Sequence, residues 1–316
     1  MPAPSSPETD LVTVAAVRTG DKQAVEYLLN ERQRIYVLAE RAAADDQSAR
    51  RLKDAVGKTR PIKVTLNPAR ATIERVSEPT GDELEAFARI HVPLEKPEKI
   101  VPLDFAKVDP TTFNFVDLYL KWPIFRQCTK IVPNYAKAKD IFDFCAQLSC
   151  HLPGPYAVTP CIPFQYVIDG CYARAHQMRR IITTRYRYCC EKVFSFATAN
   201  NDRLAVKADK WGGCCVTWWY HVAPLIRVRL QLKGFPKTKP LVLAMVIDPG
   251  MFDKPVLLST WLSAQENTAC HANAHLTSYS IQPGSAYTPL GSGFSTDPNY
   301  TATESTLIAY SGLTTC

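Results

Sequence analysis

YVIDGCYARAHQMRRI, residues 166 to 181, passes from a short apolar run through an Asp-Gly turn into a helical pattern, and sets one cysteine, Cys171, at the junction. Asp169 and Gly170 read as the turn. Tyr172 to Ile182 reads as a helix anchored through Ala173, Ala175, Met178 and Ile181 or Ile182. A helix N-terminus stabilises a thiolate through its unpaired N–H groups and its macrodipole. A cysteine there is a candidate nucleophile, its sulfur expected to face outward and its own backbone N–H able to help hold an oxyanion. A half-cystine in a disulfide is the competing reading of the same segment.

A nucleophilic cysteine needs a base, and the base needs an orienting group. Of the six histidines, His221 in VTWWYHVAPLI lies on a predicted buried strand after the cysteine helix, flanked by Trp218, Trp219 and Tyr220. Asp248 follows the strand-like LVLAMVI and precedes Pro249, so its carboxylate should emerge at a strand end beside that histidine. Cysteine helix, then histidine strand, then aspartate strand is the order of papain-like and transglutaminase-like cores. Trp218, Trp219 and Tyr220 are candidate walls of a substrate pocket, with core packing the alternative role for at least one of them.

Other constellations are weaker. His271 and His275 in CHANAH stand four apart, as on a zinc helix, but the general-base Glu of H-E-x-x-H is missing and the surroundings are loop-like. No metal and no other cofactor is expected. VGKT at 56 to 59 ends like a phosphate-binding loop, but Leu52 stands where its first glycine must be. His176, five residues beyond Cys171 on the helix, points away from the thiol and should make a structural hydrogen bond.

A chain of 316 residues with 46% apolar and 21% charged content is a globular protein with room for two domains. No run approaches the roughly 18 apolar residues of a membrane helix, so no membrane partner is expected. The start, MPAPSSPETDLVTVAAV, lacks the basic and apolar regions of a signal peptide. All eleven cysteines lie between Cys128 and Cys316. An odd number, with adjacent pairs Cys189-Cys190 and Cys214-Cys215 unsuited to one metal, implies disulfides, at most five, plus a free thiol, and hence an oxidising, extracellular or periplasmic compartment. Residues 1 to 130 carry 20 Lys/Arg and 19 Asp/Glu, a net of +1; the remainder carries 17 and 11, a net of +6. Arg179, Arg180, Arg185 and Arg187 with Tyr186 and Tyr188 could suit nucleic acid. A solvated helix end and strand face is preferred, and no nucleic-acid partner is expected.

The N-terminal stretch alternates strand-like DLVTVAAV, QRIYVLAE and PIKVTLNP with helical DDQSARRLKDAVGK and SEPTGDELEAFARIHV. In the last, Thr80 is the expected N-cap, Glu83 completes a capping box, and Leu84, Phe87 and Ile90 form the buried stripe. This predicts a small α/β module, followed by a proline-rich linker or insertion over about 98 to 130. NYAKAKDIFDFCAQLSCHL opens the second domain with an apolar face through Ala136, Ile141, Phe142 and Cys145, and several long strands follow, which predicts an α+β domain.

The blocks DGCYARAHQMR, CCVTWWYHVA and IDPGMF, with TPCIPF, ENTACHANAHLTSY and the terminal SGLTTC, resemble those of the bacterial protein-glutaminases, secreted enzymes that deamidate glutamine side chains in proteins. The resemblance spans the second domain almost completely. It implies a disulfide-stapled cysteine core over 131–316, with Cys171 as nucleophile, His221 as base and Asp248 as orienting carboxylate. SARRLKDAVGKTRPIKVTLNP and SEPTGDELEAF resemble the family's propeptide. Residues 1–130 would then be an intramolecular inhibitor, removed by an activating protease near Lys130, and the substrates would be glutamine-containing proteins or peptides. Cys128, Cys145 and Cys189 fall outside the family's cysteine pattern, and a bridge from Cys128 into the second domain would keep the propeptide attached. Three other readings remain: a transglutaminase, in which a lysine amine replaces water; a toxin or effector deamidase with a specific protein target; and a non-enzymatic disulfide-stapled binding module, which requires Cys171, His221 and Asp248 all to be structural and would show Cys171 in a disulfide.

Overall fold

The computed structural model describes residues 7–95, 101–102, 117, 130–155, 159–230, 241–291 and 293–316. The alternating N-terminal stretches form β1 (Glu8–Val12), β2 (Val14–Thr19), β3 (Val25–Leu29), β4 (Ile35–Leu38), β5 (Ile62–Asn67) and β6 (Thr72–Ser77), with α1 (Glu40–Ala43) and α2 (Asp46–Asp54) between β4 and β5. They make one sheet in the order β1-β5-β6-β4-β3-β2. Only β4 and β6 pair in parallel. Period-two alternation gives β3 two buried faces. Tyr27 and Leu29 enter the module's own core with Val12, Val14 and Leu52, whereas Leu28 joins the larger core built from residue 132 onwards.

α3 (Gly81–Ile90) starts at Thr80 with both hydrogen bonds of the capping box to Glu83, and it buries Phe87. After it, β7 (Val92–Pro93) and β8 (Val101–Pro102) leave the N-terminal sheet and pair with strands of the second half. Most of the expected linker, Cys128 included, lies outside the described residues. Asp117 is described: its carboxylate accepts hydrogen bonds from Ser259 N at 2.8 Å and Ser259 Oγ at 2.7 Å.

α4 (Tyr135–Ala146) opens the second half from an Asn134 cap. Its buried stripe is Ala138, Ile141, Phe142 and Cys145; Ala136 is exposed, because Ala138 is the position in step with Ile141, Phe142 and Cys145 at helical spacing. Then follow α5 (Cys171–Thr184), β9 (Glu191–Phe196), β10 (Leu204–Lys207), β11 (Cys215–Trp218), β12 (Tyr220–Leu230), β13 (Leu241–Val246), β14 (Val256–Leu257), α6 (Leu258–Ser263), β15 (Ser278–Gln282), β16 (Ala286–Leu290), β17 (Gly293–Thr296) and α7 (Thr301–Tyr310). The main sheet runs β14-β13-β12-β9-β15-β8. All its pairs are antiparallel. One face packs on α4 and α5; the other carries a second core with Trp218, Trp261 and Leu262. The result is a mixed α/β protein whose central strand and central helix meet where the candidate residues sit.

Among the described residues the bridges are Cys150–Cys161, Cys214–Cys316 and Cys215–Cys270. The adjacent pair Cys214-Cys215 thus diverges, tying the start of β11 to the C-terminus and to the loop before β15. No described helix is long and apolar enough to cross a membrane.

Candidate active site

Gly170 caps α5 with φ at +79°, a left-handed conformation that glycine adopts without strain. A Cβ there would also lie 2.8 Å from the Tyr310 ring, so the position excludes side chains twice over. Asp169 braces the turn: its Oδ1 accepts from Gly170 N at 2.7 Å, and Arg174 reaches back to the carbonyls of Tyr166 and Asp169 at 2.6 Å each. Thr315 Oγ1 accepts from Val167 N at 2.9 Å and donates to the Gln165 carbonyl at 2.7 Å. The C-terminal tail therefore supports the loop that presents Cys171.

Cys171 is a free thiol, which removes the half-cystine alternative. It does not face outward as expected. Only 1% of the residue is accessible: it lies in the main core, and Gln33 of the N-terminal module sits on its backbone N–H. Burial pushes the thiol well above its ordinary range, and the pull of Arg174 and of a backbone hydrogen bond from Val222 does not reverse this.

His221 sits at the start of β12, opposite Ser195 of β9. Its Nε2 lies 2.8 Å from Asp248 Oδ2. Trp261 Nε1 donates to the same oxygen at 2.9 Å. Burial raises the Asp248 carboxyl, but His221 and the Trp261 bond outweigh it and leave it below the ordinary value. The imidazole is sandwiched between the rings of Trp218 at 4.6 Å and Trp261 at 5.3 Å, both near-parallel to it. Its Nδ1 is buried and has no hydrogen-bond partner among the described residues. One ring nitrogen is thus fixed and the other is left over, the arrangement a proton carrier needs.

The space above Cys171 is filled by a side chain from the β3–β4 turn, Gln33. Its Oε1 accepts the Cys171 backbone N–H at 2.9 Å, and its Nε2 donates to the Val167 carbonyl at 3.0 Å. A donor on one side and an acceptor on the other fix which end of the amide is oxygen. The Gln33 backbone is held too: its N–H donates to Asp169 Oδ1 at 3.2 Å, and its carbonyl accepts from Trp219 N at 3.0 Å. Trp219 and Tyr220, expected as pocket walls, grip this same turn. Trp219 Nε1 donates to the carbonyls of Leu29 and Arg32, and Tyr220 OH to that of Asn30. Trp218 is instead a stacking plate for His221, its indole N–H donating to the Val167 and Ile168 carbonyls.

The remaining candidates have structural partners. His176 bonds the Asp297 carbonyl and the buried Lys192 Nζ. His271 contacts Asp21 at 2.8 Å and His275 contacts Glu266 at 3.1 Å, and no metal-holding cluster occurs among the described residues. Arg179 donates to Tyr300, Arg180 pairs with Glu304, and Arg185 stacks on Phe144, so these basic residues serve the fold. Neither Gln33 nor Trp261 is among the residues the sequence singles out. The turn between two apolar strands marks where Gln33 lies, but only tertiary packing aims it at Cys171.

A family model described as Glutaminase matches residues 138–265. A search of curated proteins returns no match. Among solved structures, the crystal structure of a pro-protein-glutaminase superposes with a TM-score of 0.71 at 24% identity, covering 99% of this chain and 95% of that one. A crystal structure of protein-glutaminase matches at 32% identity with a TM-score of 0.50, covering 59% of this chain and 92% of that one. The NMR structure of protein-glutaminase from Chryseobacterium proteolyticum gives the same identity and score over 59% of this chain and 91% of its own.

Proposed function

The chain belongs to the protein-glutaminase family, and from that premise we propose that it hydrolyses the side-chain carboxamide of protein-bound glutamine to glutamate and ammonia. The observation that carries this reading is the seat of Gln33, whose carboxamide oxygen rests on the Cys171 N–H where an oxyanion would form. Cys171 Sγ attacks the carboxamide carbon while His221 Nδ1 takes the thiol proton and passes it to the departing ammonia. Water then hydrolyses the thioester with His221 as base. Asp248 holds the imidazole through Nε2 and stabilises its protonated form. Asparagine is shorter by one methylene, worth only ~1 to 3 kcal/mol in a pocket, so selectivity also rests on reach from the backbone to the Cys171 N–H.

The core is of the papain-like or transglutaminase-like type, and residues 1–130 act as a propeptide that blocks the site until a protease cuts near Lys130, in a secreted enzyme. The burial of Cys171 under Gln33 supports this, since a neutral thiol is a poor nucleophile and a covered one is closed to outside substrates. The test is ammonia release from casein, with free glutamine as control, before and after limited proteolysis, with Cys171→Ala alongside. Ammonia release from casein far faster after cleavage than before it, none from free glutamine, and none from Cys171→Ala is expected. A cleaved wild type that releases none, with Cys171 still a free thiol, overturns the reading in favour of acyl transfer to an amine.

A further inference from the structure

Gln33 is a residue of the same chain, yet it is held as a reacting group would be. We propose that the enzyme deamidates its own Gln33 in cis, and that the glutamate so formed loosens the N-terminal module from the site. This rests on the reaction assigned above. Gln33 is 0% exposed, and its carboxamide oxygen and nitrogen and its backbone N–H and carbonyl are all bonded within 3.2 Å to residues 167–219. The carbonyl carbon is therefore fixed beside the Cys171 amide, as a group poised to react must be.

Self-inhibition by a bound substrate lasts only if the leaving group stays and recombines. Here it does not. Attack of Cys171 Sγ on the Gln33 carbon forms a C–S bond and breaks the C–N bond, and the proton from sulfur leaves on nitrogen as ammonia, a small untethered molecule. Water then splits the C–S bond, giving a carboxylate at position 33 and restoring the thiol, with no oxidant or reductant consumed. The burial that keeps the thiol neutral makes the step slow, so the amide serves as a delay.

The product fits the same seat badly. Where Gln33 Nε2 donates to the Val167 carbonyl, a carboxylate presents a second acceptor, and its charge falls near Asp169, which already accepts the Gln33 N–H. An acceptor pair left without a donor in a buried site weakens binding by roughly 5- to 150-fold.

The experiment follows the intact, uncleaved chain in water enriched in oxygen-18, by mass spectrometry of peptides spanning Gln33, with the exposed Gln23 and Gln47 as internal controls and Cys171→Ala and Gln33→Asn as variants. Expected is isotope-labelled glutamate in place of Gln33, or a loss of about 17 Da as a thioester between Gln33 and Cys171. Either should appear at a rate independent of protein concentration and be absent from both variants. Gln33→Glu in the intact chain should raise ammonia release from casein by roughly 5- to 150-fold over wild type. A Gln33 that stays an amide in a preparation whose cleaved form deamidates casein overturns the inference and leaves the assigned reaction standing. No deamidation of Gln33 or of casein overturns both.

Discussion

Trp261→Phe isolates one hydrogen bond in the candidate triad. The phenyl ring keeps the stack on His221, 5.3 Å away in the native protein, and removes the indole N–H that donates to Asp248 at 2.9 Å. A hydrogen bond to a charged group contributes about 1.5 to 3 kcal/mol, so its loss should raise the Asp248 pKa. The sign follows from the native balance, in which burial raises this carboxyl while His221 and Trp261 lower it. Removing a lowering partner moves the acid limb of the rate profile to higher pH. Above that limb, a less firmly held imidazole should cost about 10- to 100-fold in kcat with little change in KM. The assay is ammonia release from a glutamine-containing peptide by the cleaved enzyme, measured across pH for both proteins. An acid limb that does not move, with kcat within about twofold, would mean that Trp261 only packs against the histidine and that Asp248 needs no second donor.

Arg18 of the N-terminal module donates to the carbonyls of Ala197, Ala199 and Asp202 at 2.7 to 2.9 Å. Arg18→Ala should leave the cleaved enzyme unaltered and raise residual activity of the intact chain by roughly 10- to 150-fold, from a loss of about 1.5 to 3 kcal/mol. His91, stacked on Phe87 and facing Tyr287 of the second half, is pushed down to about 4 by burial. A base with a depressed pKa contributes stability above its free value of 6.5 that is lost as pH falls through 4, up to about 3 kcal/mol, so acid should promote undocking of the module and His91→Phe should blunt that response. Opening the Cys214–Cys316 bridge by double serine substitution should cost about 2 to 5 kcal/mol in denaturant unfolding and lower activity in proportion to the loss of Thr315 support for the Cys171 loop.

Much of the site could be read from residue order, because its parts lie on regular elements with strong local signals. Asp-Gly before a helical pattern gave the start of α5, and the apolar strand around His221 and the strand ending before Asp248 gave the partners. The capping box at Thr80 and Glu83 is likewise a local signal and holds. Ala136 failed because alanine is compatible with either face of a helix, so only the spacing of its larger neighbours sets the stripe. The outward sulfur failed for a different reason: exposure of Cys171 depends on contacts between residues more than a hundred positions apart, such as that with Gln33. Trp261 was invisible on the same ground, since nothing in LSTWLS indicates that an indole N–H meets Asp248.

β7 and β8 precede any cut near residue 130, yet their backbones belong to the sheets of the second half, as Asp117 belongs to Ser259. A cut near residue 130 would open one peptide bond and leave these strand pairings in place, and Cys189, well beyond it, is itself disulfide-bonded. Cutting the module and releasing it would then be separate events, and activity would wait on the second.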